Sequence, residues 1–319
     1  MSSLAIVIVS WNTRDLLDRA LASIETSMAQ SPHQYQVIVV DNASHDQTPE
    51  MIRAQHPQVK LIETGENKGF AAGNNVALRA LLNSPEAPEY IMLLNPDTEV
   101  LGTAIDTLVD FLDAHPDIAA VGPRLRYADG STQSSRRRFP SRSVFFWEST
   151  PLEQYWPNNP WAQAYRYAEQ PDEREQAVDW LVGAALMVRR SSIERAGVLD
   201  DGFMMYSEEL EWQERITKTH PSSSNSIPPI WYLPNAVIMH YEGQSSSQVP
   251  AKRYIYFHRS RIRHAQMVYG KTFGMMVRFV IRALFLLELG TEAAKWLIGH
   301  KRELRADRVK VYWQVIRSV

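Results

Sequence analysis

The 319-residue sequence contains no cysteine. That excludes disulfide frameworks, thiolate zinc sites and cysteine nucleophiles together, and it fits a reducing compartment. Long apolar runs are also missing. The most apolar stretch, Phe273 to Leu297, is interrupted by Arg278, Arg282, Glu288, Glu292 and Lys295. A membrane-spanning helix needs about 18 or more apolar residues in succession. No secretory leader is expected, because the apolar start lacks both a basic segment and a small-residue cleavage site. A hydrophobic share of 45% and a charged share of 22% are ordinary globular values and exclude a disordered or low-complexity chain. The net charge of −2 conceals an asymmetry: residues 251–319 carry +11 and residues 1–250 carry −13. An acidic body with a basic tail points to a polyanionic partner for the tail. Nucleic acid is a poor candidate, since the body is acidic and no binding motif appears.

What is present first is strand–helix alternation. Leu4–Val9, Tyr35–Val40, Val59–Thr64, Tyr90–Leu94 and Ile118–Val121 read as β-branched strands. Thr13–Met28, Thr48–Gln55, Phe70–Leu82 and Ala104–Ala114 read as helices between them, with Thr13 at an N-cap position. This pattern predicts a parallel sheet covered on both faces. Residues 126–178 are loop-like and aromatic-rich. A second block follows, with sheet signals at Trp180–Val188 and Ile230–His240, a helix from about Glu208 to Thr219, and a Pro/Ser-rich loop at Pro221–Pro229. From Lys252 the pattern is helical to the end. The expected organisation is 1–125, 126–250 and a basic, amphipathic helical extension at 251–319.

In open α/β sheets, ligands bind beyond the carboxyl ends of the strands. Polar residues collect there: Ser10, Trp11 and Asn12, then Asp41, Asn42 and Ser44, then Asn95, Pro96 and Asp97. Turn formers explain any one group, but three on one rim predict a site. Further on, Glu208, Glu209 and Glu211 cluster at a helix start, and His240 ends an apolar strand. A carboxylate and an imidazole can hold a divalent cation, and a separate carboxylate can act as general base. Taken singly, the glutamates also read as charges complementing a helix dipole, and His240 as a satisfied strand-end histidine.

At these residues the chain resembles the inverting family 2 glycosyltransferases of GT-A fold, in their bacterial rhamnosyltransferase-like branch. The resemblance runs from Ala5 to about Gly270 and rests on segments in the family's order. These are Val7–Asn12, Val39–Ser44, Asn67–Asn75, Leu94–Asp97, Gly183–Arg190, Phe203–Glu209 and His240–Ser245. It implies a Rossmann-like, mostly parallel sheet flanked by helices, with a helical C-terminal extension.

The resemblance also implies roles. Asp41 would read the nucleotide base, and Ser10, Asn12 and Asn42 would line the nucleoside pocket. Asn67, Lys68, Gly69, Gly73 and Asn74 would stand beside ribose and diphosphate, where glycine lets backbone approach a ligand. Asn95 stands where many relatives have a first carboxylate. Asp97 and His240 would then hold Mg²⁺ or Mn²⁺. Glu209 would be the base, with Glu208 as the alternative. Trp180, Leu181 and Gly183 would floor the junction of donor and acceptor.

The implied reaction moves a sugar, rhamnose among the candidates, from a dTDP- or UDP-linked donor to a hydroxyl. The acceptor would be a surface-glycan or lipid-linked saccharide. A cytoplasmic protein, peripheral on the inner membrane, is expected, with residues 251–319 facing an anionic membrane surface as an interfacial helix. The competing readings are a non-catalytic sugar-nucleotide binder and a nucleotidyltransferase. The latter would need a Gly-rich, basic loop after the first strand, where Ser10-Trp11-Asn12-Thr13 stands instead.

Overall fold

In the computed structural model the apolar N-terminal run forms strand β1 (Ser3–Ser10), buried along nearly its whole length. The structure describes residues 2–150, 155–221, 228–243 and 250–319. Gln244, Ser245 and most of the expected Pro221–Pro229 loop lie outside the described residues. After β1 come α1 (Arg14–Met28), β2 (Gln34–Asp41), α2 (Thr48–Gln55), β3 (Lys60–Glu63), α3 (Gly69–Leu82) and β4 (Tyr90–Leu94). Next are β5 (Thr98–Leu101), α4 (Ala104–Ala114), β6 (Ala120–Arg126), β7 (Thr132–Gln133), β8 (Arg136–Arg137), α5 (Arg142–Glu148) and α6 (Pro160–Tyr165). Then follow β9 (Gln176–Ala177), β10 (Trp180–Leu181), β11 (Ala185–Arg189), α7 (Arg190–Ala196), α8 (Glu208–Thr219) and β12 (Ile230–His240). Two helices end the chain, α9 (Pro250–Leu297) and α10 (Arg302–Ser318).

Side chains of β1 alternate between two cores, as a strand's period of two requires. Leu4, Ile6 and Ile8 pack with Leu17 and Leu21 of α1 and Leu108 of α4. Ala5, Val7 and Val9 pack with Leu78 of α3 and Trp212 of α8 on the other face. Burial on both faces is why β1 reads as an unbroken apolar run rather than an alternating one. Each fully buried Leu, Ile or Val contributes about 1.5–3 kcal/mol.

The sheet order is β3-β2-β1-β4-β11-β6-β12-β5, with β7 paired to β6 and β9 to β12. Strands β1 to β4 pair in parallel as predicted. The second block does not build a sheet of its own. Its strand β11 enters the same sheet antiparallel between β4 and β6, and β12 joins parallel to β6. The expected single strand Trp180–Val188 is two strands, because Val182–Ala184 leave the ladder at Gly183. Strand β5 was not expected. Four residues show no period, and their partner Val237–His240 lies far along the chain.

Between Leu233 and Val237 the register of β12 against β6 shifts. Pro234 lies in that gap and has no N–H for a ladder bond, so a bulge forms. Beyond the bulge β12 also pairs antiparallel with β5, which sets His240 opposite Thr98. The irregularity therefore aims the strand end at the Asn95–Asp97 turn.

By contact density the chain forms two units. One holds Met1–Phe139, Arg166–Met204 and Glu208–Ser245; the other holds Pro140–Tyr165, Met205–Ser207 and Ser246–Val319. The second unit has its own apolar core, including Phe145, Ile262, Phe273, Val277, Ile281 and Val315. Helix α9 kinks at Gly270, where φ is 87°, a conformation that glycine adopts without steric cost. Arg305 of α10 donates from Nη1 to both carboxylate oxygens of the buried Glu292 of α9 (2.9 and 2.6 Å), tying the two helices together. Among the described residues no helix is long and apolar enough to cross a membrane.

Candidate active site

The site-bearing rim lies in the first unit. At its outer end Asp41 closes β2, registered against Ser10 of β1. Asp41 is buried, and its Oδ2 accepts the Ser44 N–H at 3.0 Å. Its Oδ1 is buried without a hydrogen-bond partner. A carboxylate oxygen desolvated in this way costs stability until a donor reaches it. Asp41 also lines a cavity of about 260 Å³ with Ser44, His45, Gln47, Glu50 and Glu63. The oxygen itself is closed to solvent, so a ligand N–H in the cavity would meet it only once the carboxylate turns.

Neighbouring polar residues build the walls. Asn12, at φ 52°, donates its backbone N–H to Ser44 Oγ (2.9 Å) and accepts the His45 N–H on Oδ1 (2.8 Å). Ser10 Oγ and Thr13 Oγ1 lie 3.0 Å apart, so Thr13 bonds to Ser10 rather than capping α1. Asn42 donates from Nδ2 to the Gly69 carbonyl (3.0 Å), and Asn67 Oδ1 accepts the Gly69 N–H (3.0 Å). Gly69 sits at φ 81°, and a Cβ there would strike the Met204 carbonyl. That carbonyl accepts the Phe70 N–H at 2.9 Å. A Cβ on Gly73 would lie 2.9 Å from Val9 Cγ1 and 3.2 Å from Asn42 Nδ2. Asn74 donates to the Phe70 carbonyl (2.9 Å), and half-buried Lys68 pairs with Glu66 (2.6 Å).

The second cluster forms where β4, β5 and β12 meet. Asp97 and His240 are both buried, with Asp97 Oδ1 3.4 Å from His240 Nε2. The Tyr241 N–H donates to the Asp97 carbonyl (2.9 Å), which fixes the two segments together. A separation of 3.4 Å is long for an N–H···O bond. Two ligands at about 2.1 Å from one cation stand about 3.4 Å apart in a tetrahedral site and about 3.0 Å apart in an octahedral one, so an octahedral ion would draw this pair together by about 0.4 Å.

Which nitrogen carries the proton follows from the partners. Gln133 donates its Nε2 to Glu242 (2.9 Å), so its Oε1 is turned to His240 Nδ1 (2.9 Å) and accepts from it. Nδ1 holds the hydrogen, and Nε2 presents a lone pair to Asp97. Asn95 Nδ2 lies 3.4 Å from the same nitrogen. Asp97 Oδ1 and His240 Nε2 thus offer two ligand atoms for a divalent cation, while Asn95 turns its NH₂ group toward the same nitrogen.

The third cluster is helical. Residues Tyr206 and Ser207 hold φ of 71° and 64°, uncommon for residues with a Cβ, immediately before α8 begins at Glu208. Glu208 is buried and its Oε2 has no hydrogen-bond partner. Burial, reinforced by the adjacent Glu209 carboxylate, pushes its pKa well above the usual carboxylate range. Half-buried Glu209 lies over Gly183, where a Cβ would come within 3.1 Å of its Cβ and Cγ. Ala184, next in the chain, accepts the Asn95 N–H at 2.9 Å. Glu209 and the Asp97 turn therefore share one supporting segment.

Gln213, fully buried one turn on, ties these parts together. Its Oε1 accepts the Leu181 N–H (2.9 Å), and its Nε2 donates to the Leu181 and Glu209 carbonyls (2.8 and 2.9 Å). Trp180 is 7% exposed and donates its indole N–H to the Arg138 carbonyl (2.9 Å), so its ring offers little face for stacking.

The structure thus brings the expected residues into three clusters, the second and third sharing the Gly183–Ala184 segment, and adds Gln133 and Gln213. Gln213 has a sequence signal, a polar residue on the core side of an amphipathic helix. Gln133 has none, because it sits in a two-residue strand inside the stretch that reads as loop.

Residues 5–197 match the family described as Glycosyl transferase family 2. The chain belongs to glycosyl transferase family 2. It is 31% identical over 263 residues to the N-acetylglucosaminyl-diphospho-decaprenol L-rhamnosyltransferase of Mycobacterium tuberculosis, covering 81% of this chain and 82% of that protein. It is 24% identical over 265 residues to the rhamnosyltransferase WbbL of Escherichia coli K12, covering 81% and 91%. The mannosyltransferase PcManGT of Pyrobaculum calidifontis, solved with GDP-Man and Mn²⁺, superposes with a TM-score of 0.51 at 17% identity. The match covers 99% of this chain and 85% of that one, and it shows the GT-A fold. This family 2 member is a glycosyltransferase of the hexosyltransferase class, which removes the nucleotidyltransferase reading.

Proposed function

We propose that the chain transfers a hexosyl residue, with inversion, from a nucleoside-diphosphate sugar to a hydroxyl of a lipid-linked saccharide. The observation that carries this reading is Glu209 lying on Gly183, one residue from the Ala184 that braces the Asn95–Asp97 turn. A base and an anion-neutralising pair thus stand on one short segment. Asp41 Oδ1 would accept the N3–H of a uracil or thymine ring. Strands β2 and β4 are separated by β1, so their ends stand about 10 Å apart. That is comparable to the reach of a nucleoside from its base to its first phosphate.

Asp97 Oδ1 and His240 Nε2 would hold a Mg²⁺ or Mn²⁺ ion. When bound, that ion supplies positive charge beside the diphosphate. Glu209 takes the proton of the acceptor hydroxyl, and the hydroxyl oxygen forms a bond to the anomeric carbon. The bond from that carbon to the diphosphate oxygen breaks on the opposite face, and its electron pair leaves with the diphosphate. Glu208, whose burial beside Glu209 raises its pKa, would support Glu209 rather than accept the proton itself.

The names of the relatives choose the first substrates to test. These are dTDP-rhamnose, then UDP-sugars, with a diphospho-polyprenol-linked saccharide as acceptor at the cytoplasmic membrane face. Transfer by the wild type and by Glu209→Gln would be compared, with nucleotide binding as control. Loss of the base is expected to lower kcat about 10²–10⁴-fold with nucleotide affinity unchanged. A variant retaining wild-type kcat would overturn the assignment of the base. Failure of every nucleoside diphosphate to raise the melting temperature, with or without Mn²⁺, would overturn the donor site itself.

A further inference from the structure

We propose that the solvent face of helix α9 beyond Gly270 docks on an anionic phospholipid surface. The inference stands on this face alone and does not require the transferase reading. The helix separates its residues into three sectors. One sector (Phe273, Val277 and Ile281) is buried in the core of the second unit. A second sector is apolar yet exposed. Met275, Phe279, Leu286 and Leu297 recur at spacings of four, seven and eleven, which keeps them within about 40° of arc. Met276 and Leu287 widen the stripe. Phe279 is 72% exposed, Leu287 67% and Leu297 68%. At about 1.5 Å per residue the stripe runs roughly 33 Å, far longer than the isolated apolar residues of an ordinary surface.

The third sector borders that stripe on one edge and is basic. Lys271, Arg278 and Arg282 are exposed there, and none has an acidic partner among the described residues. The acidic residues of the same helix, Glu288 and Glu292, lie away from this edge, and Glu292 is held by Arg305. An apolar stripe with a cationic margin on a helix too polar to span is the pattern of an interfacial helix. Apolar side chains enter the acyl boundary while the basic edge meets anionic headgroups. A second copy of the chain fits less well, because a two-fold contact through this face would bring its unpaired arginines toward one another.

The test uses the full chain in flotation with vesicles of phosphatidylcholine alone or mixed with phosphatidylglycerol. The chain should float with the anionic vesicles and be released as salt is raised. Phe279→Glu with Leu287→Glu should abolish flotation at an unchanged melting temperature, since both side chains are exposed. Arg278→Ala with Arg282→Ala should weaken binding about 25-fold, at about fivefold per basic residue, and serves as the test if the glutamate pair does not fold. Equal binding to both vesicle types, no binding to either, or wild-type flotation of Phe279→Glu/Leu287→Glu would overturn the proposal. So would a dimer in sedimentation that the same pair of changes dissolves while vesicles leave the chain in solution, which would assign the face to a second copy.

Discussion

Replacing Gln133 by methionine should weaken divalent-cation binding by about 10–100-fold. The side chain is buried and makes two bonds of 2.9 Å, one from its amide N–H to Glu242 and one accepted from His240 Nδ1. Methionine fills similar volume and accepts no useful hydrogen bond. The Nδ1–H would then be buried without a partner, at a cost of about 1–3 kcal/mol. The ring can escape that cost by moving its hydrogen to Nε2, where Asp97 Oδ1 waits 3.4 Å away. A cation must then displace the hydrogen before it can bind. Loss of such outer hydrogen bonds costs about 10–100-fold in metal affinity, or about 1.4–2.7 kcal/mol. Mn²⁺ titration followed by electron paramagnetic resonance measures this without any turnover. Glu242→Gln is the companion variant. Its amide oxygen still accepts from Gln133, so affinity should stay within a few-fold of wild type. The reasoning fails if Gln133→Met, folded, binds Mn²⁺ as the wild type does, or if both variants fall equally.

Asp41→Asn should keep the acceptor toward the Ser44 N–H and place an NH₂ where the unpartnered Oδ1 stands. A pyrimidine N3–H would then face a donor, so UDP or dTDP affinity measured by calorimetry should fall by at least tenfold, about 1.4 kcal/mol, with stability maintained. Glu208→Gln should change the pH dependence of stability. The folded pKa lies above the unfolded value near 4.5, so as pH rises past 4.5 the unfolded chain ionises while the folded one stays protonated. Wild-type stability falls across that window by about 1.4 kcal/mol per pH unit until the folded pKa is reached. Melting curves of Glu208→Gln should therefore rise above wild type at neutral pH and converge with it at and below pH ~4.5; parallel curves would refute the burial argument. Asn95→Asp should add a second carboxylate beside Asp97 and strengthen Mn²⁺ binding without nucleotide by roughly tenfold or more. Unchanged affinity in the same titration would place position 95 outside the cation's reach.

Much of the fold is legible because its first half is local. Strands β1 to β4 are β-branched runs separated by amphipathic helices; β1, β2 and β3 pair with the strand next in sequence, and β4 joins β1 in the parallel order that strand–helix alternation leads to. The second half is legible in its elements but not in its pairing. Strand β11 has the composition of any buried strand, and nothing in Ala185–Arg189 reveals that it will run antiparallel between β4 and β6. Strand β5 is four residues long and exists because β12, deflected at Pro234, comes to meet it. Such elements are set by distant partners, and periodicity reports only local preference.

The site divides along the same line. Residues that end local strands, such as Ser10, Asp41 and Asn95, are visible in sequence because a polar cluster after an apolar run is conspicuous. His240 and Asp97 are separately visible, yet their meeting depends on the bulge at Pro234 and on the Tyr241 N–H bonding to the Asp97 carbonyl. Gln133 and Gln213 show a different limit. An uncharged amide carries no periodic or electrostatic signature, and its value lies in donating and accepting at once. Gln213 uses both capacities to hold Leu181 against the backbone of Glu209. Gln133 uses both to pass the orientation imposed by Glu242 on to His240. A carboxylate at either position could accept but not donate, and a lysine could donate but not accept. The chemistry proposed for this site thus rests on conspicuous acids and a histidine, while their geometry is held by two glutamines that only the folded chain brings into reach.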